Sequence, residues 1–286
     1  MKTQDTGRID SGRATGASGH GWPDAAEGGQ GRAGDDILAG SVGAERMHGG
    51  GGTDTVDYST SPEGVAVILN RTDGWGISFE YPKTSAGGHG GMAEGDRYAS
   101  VETVIASQHD DLVYGSARGT TAWLLDGNDV FDTRQTSPAA DSVHGGAGDD
   151  SLWGGGGADT LAGGAGDDSI FGEDGGDLLL AGPGLDKLDG GAGDDMLVGA
   201  APGTSGHVYS VALHQGSVAD YTITGHVFAA GTPEEATWFT VADNRDGSPE
   251  GTDTLLRVSV IEFADKVVDL LHPTVPLVTE TSPFGL

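Results

Sequence analysis

Aspartate recurs at a fixed interval in this chain. Asp141, Asp150, Asp159, Asp168, Asp177, Asp186 and Asp195 follow one another nine residues apart. Two residues after each stands an aliphatic side chain: Val143, Leu152, Leu161, Ile170, Leu179, Leu188 or Leu197. The unit is G-G-x-G-x-D-x-U-x, with U aliphatic, and seven units start at 136, 145, 154, 163, 172, 181 and 190 without a slip. Position four is glycine in six of the seven, Ala139 being the exception. Scattered acids would speak for solubility; acids in register speak for a shared partner. Carboxylates held side by side repel, and a hard cation between them reverses the sign. Ca2+ suits such a place, because it takes six to eight oxygen ligands and backbone carbonyls can complete the set.

The elements that position these carboxylates follow from the same spacing. Six residues of turn and three of strand account for each unit. Glycine serves where φ is positive or backbones approach closely, and x-U-x alternates out, in, out, as a strand requires. One inward side chain per unit builds no core alone, so units must stack as a solenoid. Two units make one coil, which sets Val143, Leu161, Leu179 and Leu197 on one sheet and Leu152, Ile170 and Leu188 on the other. Aspartates 18 residues apart then become neighbours: Asp141/Asp159, Asp150/Asp168, Asp159/Asp177, Asp168/Asp186 and Asp177/Asp195. Two shorter arrays repeat the interval. Residues 31–57 offer Asp36/Asp54, with Glu45 between them, and the degenerate 106–132 offers Asp111/Asp129, with Thr120 between them. Asp35, Asp149, Asp167 and Asp194, at position five, read as exposed charge, and His48 and His144, at position nine, as solvated surface. Pro138 and Pro183 share position three, a turn slot that needs no amide donor.

The chain has 286 residues, 53 of them glycine, and a formal charge of −30. That charge disfavours nucleic acid and anionic membrane surfaces as partners. Cysteine is absent, so neither disulfides nor thiolate metal sites exist. No apolar run is long enough for a membrane span, and the N-terminus shows no apolar core of a cleaved signal peptide.

These nonads resemble the RTX family of hemolysin-type calcium-binding repeats, whose consensus is a recognised sequence signature. The likeness covers 136–198 and 31–57, and more loosely 106–132. DTVDYST (54–60), VETVIAS (101–107) and GTDTLLRVSVIEFADKVVDL (251–270) resemble the irregular strands that flank such arrays. The resemblance implies an all-β parallel β-roll solenoid of calcium-binding nonapeptide repeats with a C-terminal β cap. It also implies several Ca2+ ions held at Asp36, Asp54, Asp111, Asp129, Asp141, Asp150, Asp159, Asp168, Asp177, Asp186 and Asp195. Export by type I secretion machinery through an uncleaved C-terminal signal, and an extracellular location, follow by the same likeness.

The expected organisation is a flexible leader (1–30), a short array (31–57), a β-rich insertion (58–105), the degenerate array (106–132), the main roll (136–198), a β-rich capping region (205–271) and a tail (272–286) that is part of the secretion signal. VAVILN and ISFEY read as strands of the insertion. Trp75, Phe79 and Tyr81 cluster there, as core or as a ligand site. VYSVAL, YTITG, WFTVAD and VIEFAD read as strands of the cap. Catalytic signatures are lacking: there is no H-E-x-x-H zinc motif and no G-x-S-x-G nucleophile elbow. His89-Gly90-Gly91 resembles an oxyanion-hole loop without a serine partner, and Asp243–Gly247 (DNRDG) reads as a polar turn. The expected function is a secreted, non-catalytic calcium-binding roll with an adhesion, matrix or surface role, its polysaccharide or cell-surface ligand unspecified. The alternative is an RTX-associated extracellular enzyme, polysaccharide-modifying or hydrolytic, or the export and folding tail of one.

Overall fold

The computed structural model describes residues 8–9, 26–40, 45–69, 76–80, 96–133, 139–200, 209–227, 237–247, 249–270 and 278–281. Trp75, Tyr81, His89-Gly90-Gly91, Pro138 and most of the leader and tail lie outside these residues. The chain forms two compact units, one within 1–137 plus 142–146 and the other within 138–141 plus 147–286. Both are all-β. The one helical element among the described residues is a 3-10 turn, Val218–Asp220, closed by a capping box between Ser217 and Asp220.

In the first unit, Ile37–Ala39, Thr55–Asp57, Thr103–Ile105 and Thr121–Asp126 stack in parallel on one face. On the other face Glu45–His48 pairs in parallel with Ala26–Gln30 and with Arg97–Ala99. Ala26–Gln30 was expected to be leader, and is instead a strand of the roll. The insertion widens this second face. Gly76–Glu80 runs antiparallel between Arg97–Ala99 and Val65–Ile68, and Val65–Ile68 then pairs in parallel with Leu112–Tyr114. The two strands read from VAVILN and ISFEY are therefore a lateral hairpin within the sheet.

In the second unit the nine-residue period becomes geometry. Ser151–Gly157, Ser169–Gly175 and Leu185–Ala192 pair in parallel, with Leu152 opposite Ile170 and Ile170 opposite Leu188. Thr160–Ala165, Leu178–Leu180 and Met196–Val198 do the same, with Leu161, Leu179 and Leu197 aligned. All six of these aliphatic side chains are fully buried. Each coil thus adds one apolar layer, and the sheets extend by repetition.

Beyond the repeats the stacking continues before it changes direction. Thr252–Leu256 adds in parallel to Met196–Val198, and Tyr209–Leu213 adds in parallel to Leu185–Ala192. Antiparallel strands then follow on each face: Thr237–Asp243 and Tyr221–Val227 on the first, with Val278–Thr281 added in parallel beyond Tyr221–Val227, and Val267–Asp269 after Val260–Glu262 on the second. This reversal of strand direction forms the cap.

Candidate metal centre

Position six of each unit turns its carboxylate toward the preceding coil. Asp159 Oδ1 accepts from the Asp141 amide at 2.7 Å, Asp168 from Asp150 at 2.9 Å, and Asp177 from Asp159 at 2.8 Å. Asp186 accepts from Asp168 at 3.1 Å and Asp195 from Asp177 at 2.8 Å. In the first unit Asp54 accepts from Asp36 at 2.9 Å and Asp129 from Asp111 at 2.7 Å. Every pair named from the sequence is brought together. Asp36 is half-buried, and the other ten aspartates are buried.

These bonds use one carboxylate oxygen. The second, Oδ2, is buried and makes no hydrogen bond in Asp54, Asp159, Asp168, Asp177, Asp186 and Asp195. A buried carboxylate oxygen without a partner carries a heavy desolvation cost. At Asp168 this oxygen packs against Gly163, the first residue of its own unit, so closely that a Cβ there would collide with it. Glycine at position one therefore makes room for the carboxylate. Glycine at position four answers a different need: Gly166 has φ +138° and lies against the Gly148 carbonyl of the preceding coil.

The electrostatics are those of buried carboxylates set close together. Burial pushes Asp168 and Asp177 up to about 7, and their carboxylate neighbours push the same way against a backbone hydrogen bond. Burial likewise raises Asp111 and Asp186 to about 6, and raises Asp54, Asp159 and Asp195. Among the described residues no group of three or more acidic or histidine side chains is placed to hold a metal ion. The rungs are pairs set among turn carbonyls. That donor set, all oxygen and partly backbone, fits a hard cation such as Ca2+ and not a thiolate- or imidazole-seeking metal.

Position five works in the opposite sense. Asp149 Oδ1 accepts from the Asp167 amide at 2.8 Å, and Asp167 accepts from Leu185 at 2.9 Å. Asp35 accepts from Thr53 at 2.8 Å. These carboxylates are exposed, as expected, but each ties its coil to the following one. At position nine, His144 stacks on Trp123 with ring centroids 4.0 Å apart.

Three ladder positions escaped the sequence reading. Asp253 Oδ1 accepts from the Asp195 amide at 3.1 Å across 58 residues. Glu102 Oε2 accepts from the Asp54 amide at 3.0 Å across 48 residues. The Val65 amide, from the insertion, donates to Asp111 Oδ1 at 2.6 Å. A shorter probe, G-x-D-x-U without the first three positions, finds Asp253 in GTDTLL. Burial and the adjoining Asp195 raise Asp253 to about 9.

The cap holds a second carboxylate cluster of another kind. Arg245 Nη2 donates to Asp243 Oδ2 at 2.8 Å and to Glu250 Oε1 at 2.9 Å. Tyr221 donates its hydroxyl to Glu250 Oε2 at 2.6 Å, and His214 Nδ1 lies 3.3 Å from the same oxygen. The DNRDG stretch is thus a charged clamp as well as a turn. Beside it a cleft of about 420 Å³ is lined by Trp153, Phe171, Glu173, Asp174, Asp189 and Glu250, among others. The Trp153 and Phe171 rings stack with centroids 5.4 Å apart.

A family model for the RTX calcium-binding nonapeptide repeat matches the chain in four copies, over residues 29–56, 136–170 and 171–201. No curated protein matches it.

Proposed function

We propose, from the RTX calcium-binding repeats that this chain carries, that it is a secreted calcium-binding β-roll protein that completes its fold on meeting Ca2+ outside the cell. The observation that carries this reading is the row of buried Oδ2 atoms without hydrogen bonds in rungs 18 residues apart. Asp141, Asp150, Asp159, Asp168, Asp177, Asp186 and Asp195 would hold the ions in the second unit. Asp36, Asp54, Asp111 and Asp129 would do so in the first. The ion supplies positive charge where burial has removed water. The chain's own residues do the rest: amides fix Oδ1, position-one glycines admit Oδ2, and turn carbonyls stand ready as further oxygen donors.

One buried aliphatic residue per nine offsets little of the entropy of ordering nine residues. Ion binding is then the term that decides folding, and the two become one event. Extracellular calcium modules work at about 10⁻⁴–10⁻³ M, so the roll would stay unfolded in calcium-poor cytoplasm and fold after type I export. A chain without cysteine has no disulfide to take over that role. Equilibrium dialysis with Ca2+, alongside far-UV circular dichroism, tests the reading. The expected result is several ions per chain and a β signal that rises with them; a full β signal in excess chelator refutes it.

The cleft favours a second role on the same scaffold. Its ring pair offers a flat stacking surface, and its carboxylates accept hydrogen bonds from hydroxyl groups. A polysaccharide or cell-surface glycan held there would give the roll its adhesive or matrix function, without chemistry. Trp153→Ala should then abolish binding on a glycan array while leaving calcium uptake unchanged.

A further inference from the structure

The last aspartate of the array faces a partner that belongs to no recognised repeat. Residues 248–256 read SPEGTDTLL, outside every segment that the family model matches. Gly251, Asp253 and Leu255 nevertheless take positions four, six and eight of one more unit. Leu255 pairs with Leu197, as Leu197 pairs with Leu179. The Thr254 amide donates to the Asp195 carbonyl at 2.7 Å, as the Met196 amide does to Asp177 at 2.8 Å. The Thr252 amide donates to Asp194 Oδ1 at 2.8 Å, which repeats the position-five bond. Gly251 has φ +61° and lies against the Gly193 carbonyl, just as Gly193 lies against Gly175.

The carboxylates complete the correspondence. Asp253 Oδ1 accepts from the Asp195 amide, as Asp195 Oδ1 accepts from Asp177. Asp195 is 3% exposed and Asp253 2% exposed, and Asp195 Oδ2 is buried without a hydrogen bond. On the opposite face the same extension brings serines, where the Ser210 amide lies 3.4 Å from Ser259 Oγ. Serine can accept the amide bond there, but it adds no charge. The carboxylate at 253 brings a second oxygen as well, and Oδ2 lies 3.7 Å from His214 Nδ1 of the cap.

We propose that Asp195 and Asp253 form a further Ca2+ site, half of it supplied from outside the repeats, and that the ion bound there fastens the C-terminal cap to the last repeat. This rests on the calcium reading of the array. It adds that the strand Thr252–Leu256 is held by calcium as well as by pairing, so cap and array would be linked through one ion.

The test uses the full chain and Asp253→Ser, which keeps an acceptor for the Asp195 amide and removes the charge. Calcium per chain is counted by equilibrium dialysis, and exchange of the Thr252, Thr254 and Leu255 amides is followed across a Ca2+ titration. The expected result is one ion fewer per chain in the variant. These amides should also exchange at least tenfold faster than wild type at saturating calcium, with the Asp159 and Asp168 amides unchanged. An unchanged ion count with unchanged cap protection overturns the proposal while leaving calcium binding by the array intact. A wild-type chain that binds no calcium overturns both. Should Asp253→Ser fail to fold, the wild-type titration decides alone: cap amides already protected in chelator contradict the proposal, and protection that rises with calcium supports it.

Discussion

Asp168 and Glu250 are both buried carboxylates of the second unit, and their surroundings drive them in opposite directions. Burial raises Asp168 to about 7, helped by the carboxylates of Asp150 and Asp186. Burial also acts on Glu250, but hydrogen bonds from His214, Tyr221 and Arg245 outweigh it and hold that group at about 2. The cap sets a guanidinium against its carboxylates, whereas the ladder carboxylates of the array accept backbone amides. On the calcium reading proposed above, the carboxylate row takes its positive charge from a bound ion, whereas the cap cluster takes its own from Arg245. Asp253 crosses this divide: it lies in the cap by sequence, yet burial and Asp195 raise it to about 9, in the manner of the array.

The largest expected effect is a reversal of sign at one rung. Asp168→Asn removes a charge from two neighbouring rungs. In a calcium titration it should raise the Ca2+ midpoint of folding about tenfold, about 1.4 kcal/mol. In chelator the same substitution should stabilise residual structure, because an amide is cheaper to bury than an unpaired carboxylate. Equal destabilisation under both conditions would erase the contrast with the cap. Calcium titrations followed by circular dichroism read both.

Protons should stand in for calcium, with a definite direction. Asp168, Asp177, Asp111 and Asp186 have folded values above the usual carboxylate value, near 3.8. The stability each contributes is fully present below about 4 and is lost as pH rises through about 6 to 7. In chelator the array should therefore show β structure at pH 4–5 and lose it by pH 7.5. In millimolar calcium the signal should stay level across that range.

Smaller effects separate the two regions further. Tyr221→Phe removes a 2.6 Å donor from Glu250 and should cost about 1–2 kcal/mol in thermal unfolding of the cap, without moving the array's calcium midpoint. Glu173 stands at position two with φ +77°, where neighbouring units have glycine. Glu173→Gly should relieve that strain and raise stability by about 0.5–1 kcal/mol in a denaturant melt.

The ladder was legible because one period governs both chemistry and strand pairing. Asp159 and Leu161 are two residues apart in every sense that matters, so spacing alone set their register. The insertion strands were legible as apolar runs, but their place between Arg97–Ala99 and Leu112–Tyr114 was not, since partner choice depends on contacts distant in sequence. Glu102 was overlooked because its longer side chain fills an aspartate slot. Asp253 was overlooked because 58 residues separate it from its rung partner where 18 is the rule. The Tyr221–Arg245–Glu250 clamp has no period at all; it unites three cap residues that only the antiparallel turn-back brings together.

The most direct test is hydrogen exchange at the amides of Asp141, Asp150, Asp159 and Asp168, each of which donates to a ladder carboxylate. At pH 7.5 these amides should be strongly protected in millimolar calcium and exchange near the unfolded rate in excess chelator. Protection that is equally strong in both would mean that the carboxylate row holds itself together without a cation, and would contradict the account.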